Sequence, residues 1–471
     1  MLQENKYQFA PTLILFFGFV FVYLAVQWQF HVFTQPYFWD ELGVYSRSST
    51  HLYAHGLSLM PSAVPDELSR GHPLLCSFYF ALAFKLFGCV PASAHFAAAL
   101  LNVLGFYFCY KICLRYLPQW QAVCATLAIF VQPLFLSQSL LILPEMPLMV
   151  ATLGAVMFYI QDKKWAVMIC LVAALQIKES ALILPVAFLL SDSMSHKKIT
   201  SKGFFVYFLI PVLTFLIFIA VQKYQRGYYF YPLHTSLSSF DPYYIRERWD
   251  NFKQYFLYEQ GRFGIVLIGG IILIIWLIKT FRKWRSLWQS HLLILPVTIA
   301  GALCFLVLNY YLSRYTMYFV VLIYILYVLL VKTFGRYVYL QWSLIILIGC
   351  NGIFNWNNGK LYTDVDFSYA NHVQSLQMVV EELKNKTYHE QKIGMDFPLS
   401  AAYWSSENGY NTGNVQSVPM QDSLPKKDYL VFTHPGNMGD TIKYEGKIEL
   451  RKEFRVGYAF TRIYKLRQMT P

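Results

Sequence analysis

Residues 11–41 of the 471-residue chain read PTLILFFGFVFVYLAVQWQFHVFTQPYFWDE, an apolar run that ends in two acidic residues. Residues 11–30 carry no charged side chain. A helix that crosses the hydrocarbon core of a bilayer needs about 20 mostly apolar residues. The stretch therefore predicts a first membrane span, followed on its far side by Asp40 and Glu41.

Similar apolar runs recur as far as residue 353. Ten of them lie near residues 93–113, 119–138, 144–160, 165–177, 180–191, 203–222, 263–281, 290–310, 315–331 and 336–353. Together with the first run they predict a polytopic α-helical membrane protein with about 11 transmembrane helices. The runs on either side of Lys178 and Glu179 are short, which predicts a broken pair of helices at that point.

The composition excludes a soluble multi-domain enzyme. Charged side chains make up 14% of the chain and hydrophobic ones 56%, whereas about a quarter of the residues of a soluble protein are charged. The eight cysteines all lie in apolar stretches. They therefore indicate neither a disulfide framework nor a cysteine-based metal site.

Basic residues predict the orientation, because short cytoplasmic loops are enriched in Lys and Arg. One alternating set of connections contains 13 of them: Lys111, Arg115, Lys163, Lys164, Lys197, Lys198, Lys202, Lys279, Arg282, Lys283, Arg285, Lys332 and Arg336. The opposing short connections hold Lys178 and Arg314. The first set is predicted to be cytoplasmic, which accounts for most of the +13 net charge without a nucleic-acid partner.

Residues 73–88 are also apolar, but a full crossing there would move all those basic loops to the outside. We therefore interpret this stretch as a helix that lies along, or dips into, the outer leaflet. The resulting topology has the N-terminus inside and the C-terminal region outside. The long outer loops then comprise residues 31–92 and 223–262.

The composition of the chain changes from mostly apolar to rich in charged residues after Asn355. Residues 356–471 contain 14 Lys and Arg and 13 Asp and Glu, a balance typical of a soluble domain. Residues 369–383 have the pattern of an amphipathic helix, and residues 427–432 and 459–465 have that of strands. We predict a transmembrane domain over residues 1–355 and a small extracytoplasmic α/β domain after it.

Four acidic residues fall at the outer ends of apolar helices in this topology: Asp40, Glu41, Glu145 and Glu179. Charges near a bilayer are costly and usually functional, so their convergence predicts a shared site. Structural alternatives stay open. The first pair can be an interfacial cap, and Glu145 suits a helix N-terminus. Glu179 can form a local ion pair with Lys178.

These residues belong to an ordered set of motifs. The set comprises the acidic pair after the first span, His-Pro-Leu at 72–74, Glu145, Lys-Glu at 178–179 and Arg-Tyr at 314–315. It resembles that of the multi-spanning GT-C glycosyltransferases, especially the bacterial relatives of protein O-mannosyltransferases and of the aminoarabinose transferase that modifies lipid A. The resemblance extends over residues 10–330.

The resemblance implies catalytic roles for three acids. The family's first-loop acid pair matches Asp40 and Glu41, and its first member is the candidate base that activates the acceptor. A later acid involved in acceptor positioning matches Glu145, although this chain has Glu instead of Asp and prolines on both sides. Some GT-C enzymes bind a divalent metal and others do not. The oxygens of these three acids could supply such ligands.

The resemblance also implies a site for the lipid phosphate. The matching residues are Lys178, Arg314, Tyr315, Arg70 and His72. Lys178 corresponds to the family's Lys at a helix break, where Glu179 follows instead of the usual Gly. Arg314 could contact a phosphate through two parallel hydrogen bonds.

The function that the resemblance implies is an integral membrane glycosyltransferase of the bacterial inner membrane. It would move a sugar, with inversion, from a polyprenyl-phosphate-linked donor to a glycan, lipid or protein acceptor at the periplasmic face. Two alternatives stay open. An O-antigen-type polymerase or ligase would rely on arginines in large outer loops. A non-catalytic lipid or glycan transporter would have internal repeats with broken helices in matching positions.

Overall fold

The apolar runs fold into helices in the computed structural model, which describes residues 9–196, 198–237, 239–280, 291–308, 312–332, 338–356, 364–389, 391–403, 406–412, 416–420, 427–436 and 438–467. The first ten helices are α1 (Phe9–Phe30), α2 (Ser46–His55), α3 (Asp66–Ser69), α4 (Leu75–Phe87), α5 (Pro91–Tyr116), α6 (Gln119–Phe130), α7 (Pro133–Gln138), α8 (Glu145–Ile160), α9 (Lys164–Ile177) and α10 (Ile183–His196).

The remaining helices continue this pattern and end in the C-terminal region. They are α11 (Ser201–Arg226), α12 (Pro232–Leu237), α13 (Pro242–Phe252), α14 (Phe263–Thr280), α15 (Ile294–Leu308), α16 (Met317–Lys332), α17 (Val338–Phe354), α18 (Tyr369–Glu382) and α19 (Leu399–Ala402). α11 is continuous through a π-helical segment at Phe204–Leu209. The largely helical architecture confirms the predicted fold class.

Within the described residues, four helices are long and apolar enough to cross a membrane: Ala10–Phe30, Pro91–Tyr116, Ser201–Arg226 and Ser313–Val331. A bent pair, Pro242–Tyr258 with Phe263–Trp276, raises the number to five if it forms one span. Six further apolar helices of 10–17 residues include α4, α8 and α9. The count of about 11 crossings and the orientation therefore stay predictions. Five of the Lys and Arg residues on which the predicted orientation depends lie outside the described residues: Lys197, Arg282, Lys283, Arg285 and Arg336.

One predicted span differs in the structure. The run 119–138 is not a single helix but breaks between α6 and α7. Gln132 has an extended backbone (ψ 136°) because it precedes Pro133, which disfavours the helical conformation of its neighbour. The Gln132 side-chain amide donates to the carbonyl of Ile348 at 2.6 Å and so ties the break to α17.

A second break, at Lys178, agrees with the prediction of a broken helix pair. α9 ends at Ile177, and Lys178 is extended with φ −156° and ψ 137°. A 3₁₀ turn at Glu179–Leu182 then leads into α10. The extended residue turns two successive polar side chains, those of Lys178 and Glu179, toward the same cavity.

The C-terminal region contains a five-stranded sheet with the order β2-β1-β3-β5-β4. Its strands are β1 (Lys392–Met395), β2 (Gln416–Val418), β3 (Tyr429–His434), β4 (Ile448–Val456) and β5 (Ala459–Leu466). β1 pairs in parallel with β2 and β3, whereas β5 is antiparallel to β3 and β4. Helix α18 packs on β4 and β5. The predicted helix and both predicted strands are present, and the small C-terminal α/β fold is confirmed.

The C-terminal region packs directly on the helical part of the chain. Asp364 accepts hydrogen bonds at its backbone carbonyl from Ser137 and Gln138, each at 2.8 Å. The Phe367 ring stacks on Phe30, the last residue of α1, with centroids 4.6 Å apart. Buried apolar residues of both regions form one continuous core. The division between residues 355 and 356 stays a prediction.

Candidate active site

A cavity of about 840 Å³ lies among the segment that joins α1 to α5, the start of α8, the break between α9 and α10, and the start of α16. Eight of the nine residues predicted for the site line this cavity: Asp40, Arg70, His72, Glu145, Lys178, Glu179, Arg314 and Tyr315. The ninth, Glu41, does not. Residues far apart in sequence thus share one concave surface that contains both acidic and basic side chains.

Asp40 lies directly before the π-helical turn Glu41–Tyr45. Its Oδ2 accepts a hydrogen bond from Arg314 Nη2 at 2.5 Å, and its Oδ1 is 4.0 Å from Arg70 Nη1. Burial raises the pKa of Asp40, but the Arg314 guanidinium, together with Arg70 and Lys178, outweighs burial and holds that pKa below its usual value. Asp40 is therefore an ionised carboxylate that faces the cavity.

Glu145 and Lys178 form a buried ion pair. Glu145 Oε1 accepts a hydrogen bond from Lys178 Nζ at 2.7 Å and lies 3.6 Å from Arg314 Nε. Lys178 Nζ also lies 3.8 Å from the centroid of the Tyr315 ring, a cation–π contact. The Lys178 side chain therefore links the break after α9 to the start of α8, and it does not form a local ion pair with Glu179.

Glu179 contacts two histidines instead. Its Oε2 is 2.8 Å from His72 Nδ1, and its Oε1 is 4.0 Å from His234 Nδ1. His234 belongs to α12 and was not among the predicted site residues. A single histidine in a tyrosine-rich loop carries no distinguishing pattern in the sequence.

Glu41 differs from its neighbour Asp40, although the sequence predicts both as a catalytic pair. Its carboxylate is buried and accepts backbone N–H groups of Phe38 at 3.0 Å and Ile142 at 2.9 Å. His95 Nε2 lies 3.3 Å from its Oε1. Glu41 therefore joins the segment after α1 to the loop before α8, outside the cavity.

We expect Glu41→Gln to lower the thermal unfolding temperature while leaving the substrate KM values of the folded protein unchanged. An amide can accept only one of the two backbone N–H groups, and leaving a buried donor without a partner costs about 1–3 kcal/mol. Unfolding in detergent, followed by intrinsic tryptophan fluorescence, measures the change. A loss of kcat with an unchanged unfolding temperature would instead place Glu41 in the chemistry.

Asp364 is the site residue that the sequence reasoning missed. Its Oδ2 accepts a hydrogen bond from Arg314 Nη1 at 2.7 Å, so Arg314 bridges Asp40 and Asp364. Burial raises the pKa of Asp364, and Arg314 compensates only in part. The residue follows the last apolar run, as Asp40 follows the first. The same rule, applied to residues 356–471, could have identified it.

One wall of the cavity is apolar. It is formed by side chains of α8, α10, α11 and α15, among them Leu148, Ile183, Val186, Phe215, Phe218 and Phe305. The charged residues of the lining lie at helix ends and in the connecting segments. The cavity can therefore accommodate a molecule that carries both an anionic group and a hydrocarbon chain.

Comparisons with known proteins gave a family match and structural matches. The sequence profile of the family described as dolichyl-phosphate-mannose-protein mannosyltransferase matches residues 71–224. A comparison with curated protein sequences gave no match.

Solved structures give a match over nearly the whole chain. ArnT from Cupriavidus metallidurans bound to undecaprenyl phosphate is 13% identical, with 94% of this chain and 97% of that chain covered and a TM-score of 0.56. The apo state of the same enzyme is 12% identical, with the same coverage and a TM-score of 0.52.

The fold is that of ArnT, and the resemblance to the GT-C superfamily is confirmed. Together, the family match and the structural match support a multi-pass membrane glycosyltransferase of the GT-C type.

Proposed function

We propose that the protein transfers a sugar from a polyprenyl-phosphate carrier to an acceptor hydroxyl, with Asp40 as the base. The observation that carries the proposal is the cavity that combines this ionised carboxylate with two buried cations, Lys178 and Arg314. Removing a glycosyl group from a phosphate needs both kinds of residue. A base takes the proton of the attacking hydroxyl, and cations stabilise the charge that grows on the departing phosphate.

The carrier is proposed from two independent observations. The structure of ArnT, which has the same fold, was determined with undecaprenyl phosphate bound. In this chain, an apolar cavity wall with residues such as Ile183 and Phe215 lines the same cavity as the cations. A prenyl chain would lie against that wall while its phosphate contacts Lys178 and Arg314.

The proposed reaction is a single displacement. The acceptor oxygen attacks the anomeric carbon while Asp40 takes its proton, and the carbon–oxygen bond to the carrier phosphate breaks with its electron pair retained by the phosphate. The anomeric configuration is inverted. Arg314 would exchange its contact with Asp40 for a contact with the donor phosphate. This exchange would release the carboxylate and raise its basicity when donor is bound.

The proposed location is the periplasmic face of the bacterial inner membrane, with the C-terminal domain on the same side. The charge distribution of the loops supports it, since the cavity residues lie at the ends of helices opposite the basic connections. The acceptor would be a glycan, a lipid or a protein with a hydroxyl group.

Mass spectrometry of envelope glycolipids and glycoproteins tests the proposal. Cells with the gene, without it, and with the gene restored are compared. We expect one sugar modification to disappear on deletion and to return on complementation, together with accumulation of the unspent lipid-linked sugar. Identical profiles in all three strains, under conditions in which the protein is present in the membrane, would refute the proposed transfer.

A further inference from the structure

Trp39, the residue directly before Asp40, has an unusual backbone conformation. Its φ is +43°, in the left-handed region that a bulky side chain rarely adopts. Such a conformation costs free energy and persists only where the surrounding structure imposes it, most often at active sites and ligand-binding sites. The strain is therefore a first indication that the Trp39 side chain has a functional position.

The C-terminal region holds the Trp39 side chain through two rings. Phe397 contacts the indole edge-on, with ring centroids 5.1 Å apart and an interplanar angle of 81°. His372, in α18, contacts it with a centroid distance of 6.0 Å. The Phe397 ring also lies against Gly43, where a Cβ would be 2.9 Å from Phe397 Cε2. Phe397 thus packs against both the indole and the π-helical turn that follows Asp40.

His372 contributes an uncharged ring to this packing. Within the described residues, neither of its ring nitrogens has a hydrogen-bond partner. Burial, together with the nearby His434, lowers the pKa of His372 to about 3, so the imidazole is neutral at physiological pH. Its ring also contacts Phe38 edge-on, with centroids 5.7 Å apart. The Trp39 indole is therefore supported by three uncharged rings, those of Phe38, His372 and Phe397.

The Trp39 side chain is also open to the cavity. It is only partly buried, and it lines the cavity together with Asp40 and Arg314. Its three ring contacts have interplanar angles between 38° and 81°, so no ring of the described residues stacks in parallel on the indole. Its N–H has no hydrogen-bond partner in that part of the chain, whereas the N–H of Trp356 donates to the carbonyl of Val131 at 2.9 Å. Trp39 therefore offers a ligand both an aromatic surface and a hydrogen-bond donor.

A pyranose ring matches both of these features. Its C–H bonds form an apolar face that suits the electron-rich face of an indole, and the hydroxyl groups at its rim can accept the indole N–H. A prenyl chain could use only the aromatic surface, and a phosphate could use only the N–H. The sugar is therefore the part of a lipid-linked donor that fits Trp39.

The position of Trp39 in the site agrees with this choice. Arg314, which would bind the carrier phosphate, donates to the Asp40 carboxylate at 2.5 Å, and Asp40 follows Trp39 directly in the chain. In such a donor the anomeric carbon of the sugar is attached to a phosphate oxygen. A sugar whose phosphate is held by Arg314 would therefore come close to both Asp40 and Trp39.

We propose that Trp39 is a specificity-determining residue whose indole forms a platform on which the pyranose ring of the donor stacks. The inference rests on the proposed function, because it needs a sugar linked to a polyprenyl phosphate. It also assigns a role to the C-terminal region, which positions the Trp39 platform through Phe397 and His372. These two residues act through Trp39 and do not contact the sugar.

Equilibrium binding without an acceptor tests the Trp39 platform separately from catalysis. The full-length protein in detergent binds radiolabelled undecaprenyl phosphate, which is then displaced by unlabelled undecaprenyl phosphate or by its esters with mannose, glucose, galactose or aminoarabinose. The measured quantity is the sugar-dependent gain, the factor by which the best ester binds more tightly than the bare carrier. We expect Trp39→Leu to lower this gain by about tenfold, the upper range of a single aromatic contact. Its affinity for the bare carrier should equal that of the wild type, which also shows that the variant is folded.

Three further variants make the test specific. Trp39→Phe keeps an aromatic face without the N–H and should retain part of the gain. Phe397→Leu stays apolar but removes the edge-on contact with the indole, so it should lower the gain by a smaller factor than Trp39→Leu does. The matched control is Trp165→Leu, at a tryptophan of α9 that is 59% exposed and lies outside the cavity, and it should keep the full gain.

An undiminished gain in Trp39→Leu, or an equal loss of affinity for bare and sugar-linked carrier, would overturn the Trp39 platform. So would a wild-type protein that binds the bare carrier and gains nothing from any of the four sugars. A full gain in Phe397→Leu would overturn the positioning role of the C-terminal region. Failure of the proposed function gives a different result, because the wild type would then not bind undecaprenyl phosphate at all, and this inference would fall with it.

Discussion

Asp40→Asn is expected to reduce glycosyl transfer by about 10²- to 10⁴-fold, the range typical for removal of a general base. The amide has the size of the carboxylate but cannot take the acceptor's proton. Arg314 keeps its 2.7 Å hydrogen bond to Asp364, so the cavity should retain its shape. Transfer is measured with purified protein, a polyprenyl-phosphate sugar and the acceptor that the envelope comparison identifies.

The matched control is Asp162→Asn. Asp162 follows the far end of α8 and is exposed. It has φ 55°, a conformation in which Asn is as well tolerated as Asp. This variant should transfer sugar at the wild-type rate. Wild-type activity in Asp40→Asn itself would exclude Asp40 as the base and leave Glu145 as the carboxylate to be tested next.

Lys178→Ala should raise the KM for the donor by about 10- to 100-fold with little change in the KM for the acceptor. A hydrogen bond to a charged group is worth about 1.5–3 kcal/mol, and every 1.4 kcal/mol is a factor of ten in binding. The ammonium lies between Glu145 and the Tyr315 ring, and both contacts hold it at the cavity surface. Initial rates measured against each substrate in turn separate the two constants.

Lys163→Ala is the corresponding control, because Lys163 is an exposed lysine in the connection between α8 and α9. Its loss removes the same charge from the chain without affecting the cavity, so both KM values should stay at wild-type levels. If Lys178→Ala changed the acceptor KM and left the donor KM intact, Lys178 would have to be moved from the donor site to the acceptor site.

Much of the helical architecture could be predicted because long apolar runs have few other stable arrangements. The break at Lys178 was also predictable, since two short runs flank two adjacent charges. The interruption between α6 and α7 was missed because the apolar pattern continues through it. The local cause is Pro133, whose effect on the preceding Gln132 is steric and leaves the hydropathy unchanged.

The structure brings together the predicted residues that end helices, whereas the two adjacent acids lie in different surroundings. Successive side chains on a helical turn point roughly 100° apart. Asp40 therefore faces the cavity, and Glu41 faces buried backbone N–H groups. Asp364 was missed for a different reason. The acids were sought at the ends of apolar helices within residues 1–355, whereas Asp364 lies in the C-terminal region and contacts Arg314 across 50 residues of chain.

The bond between Arg314 and Asp364 also has a consequence for biogenesis. A ribosome makes Arg314 well before Asp364, and α17 separates the two in the chain. A nascent polypeptide that has inserted all helices up to α17 would still lack one of the three carboxylates that flank this guanidinium. The site around Arg314 would thus be completed late in synthesis. A product truncated after α17 would reach the membrane without Asp364, and so without the full set of charges in that site.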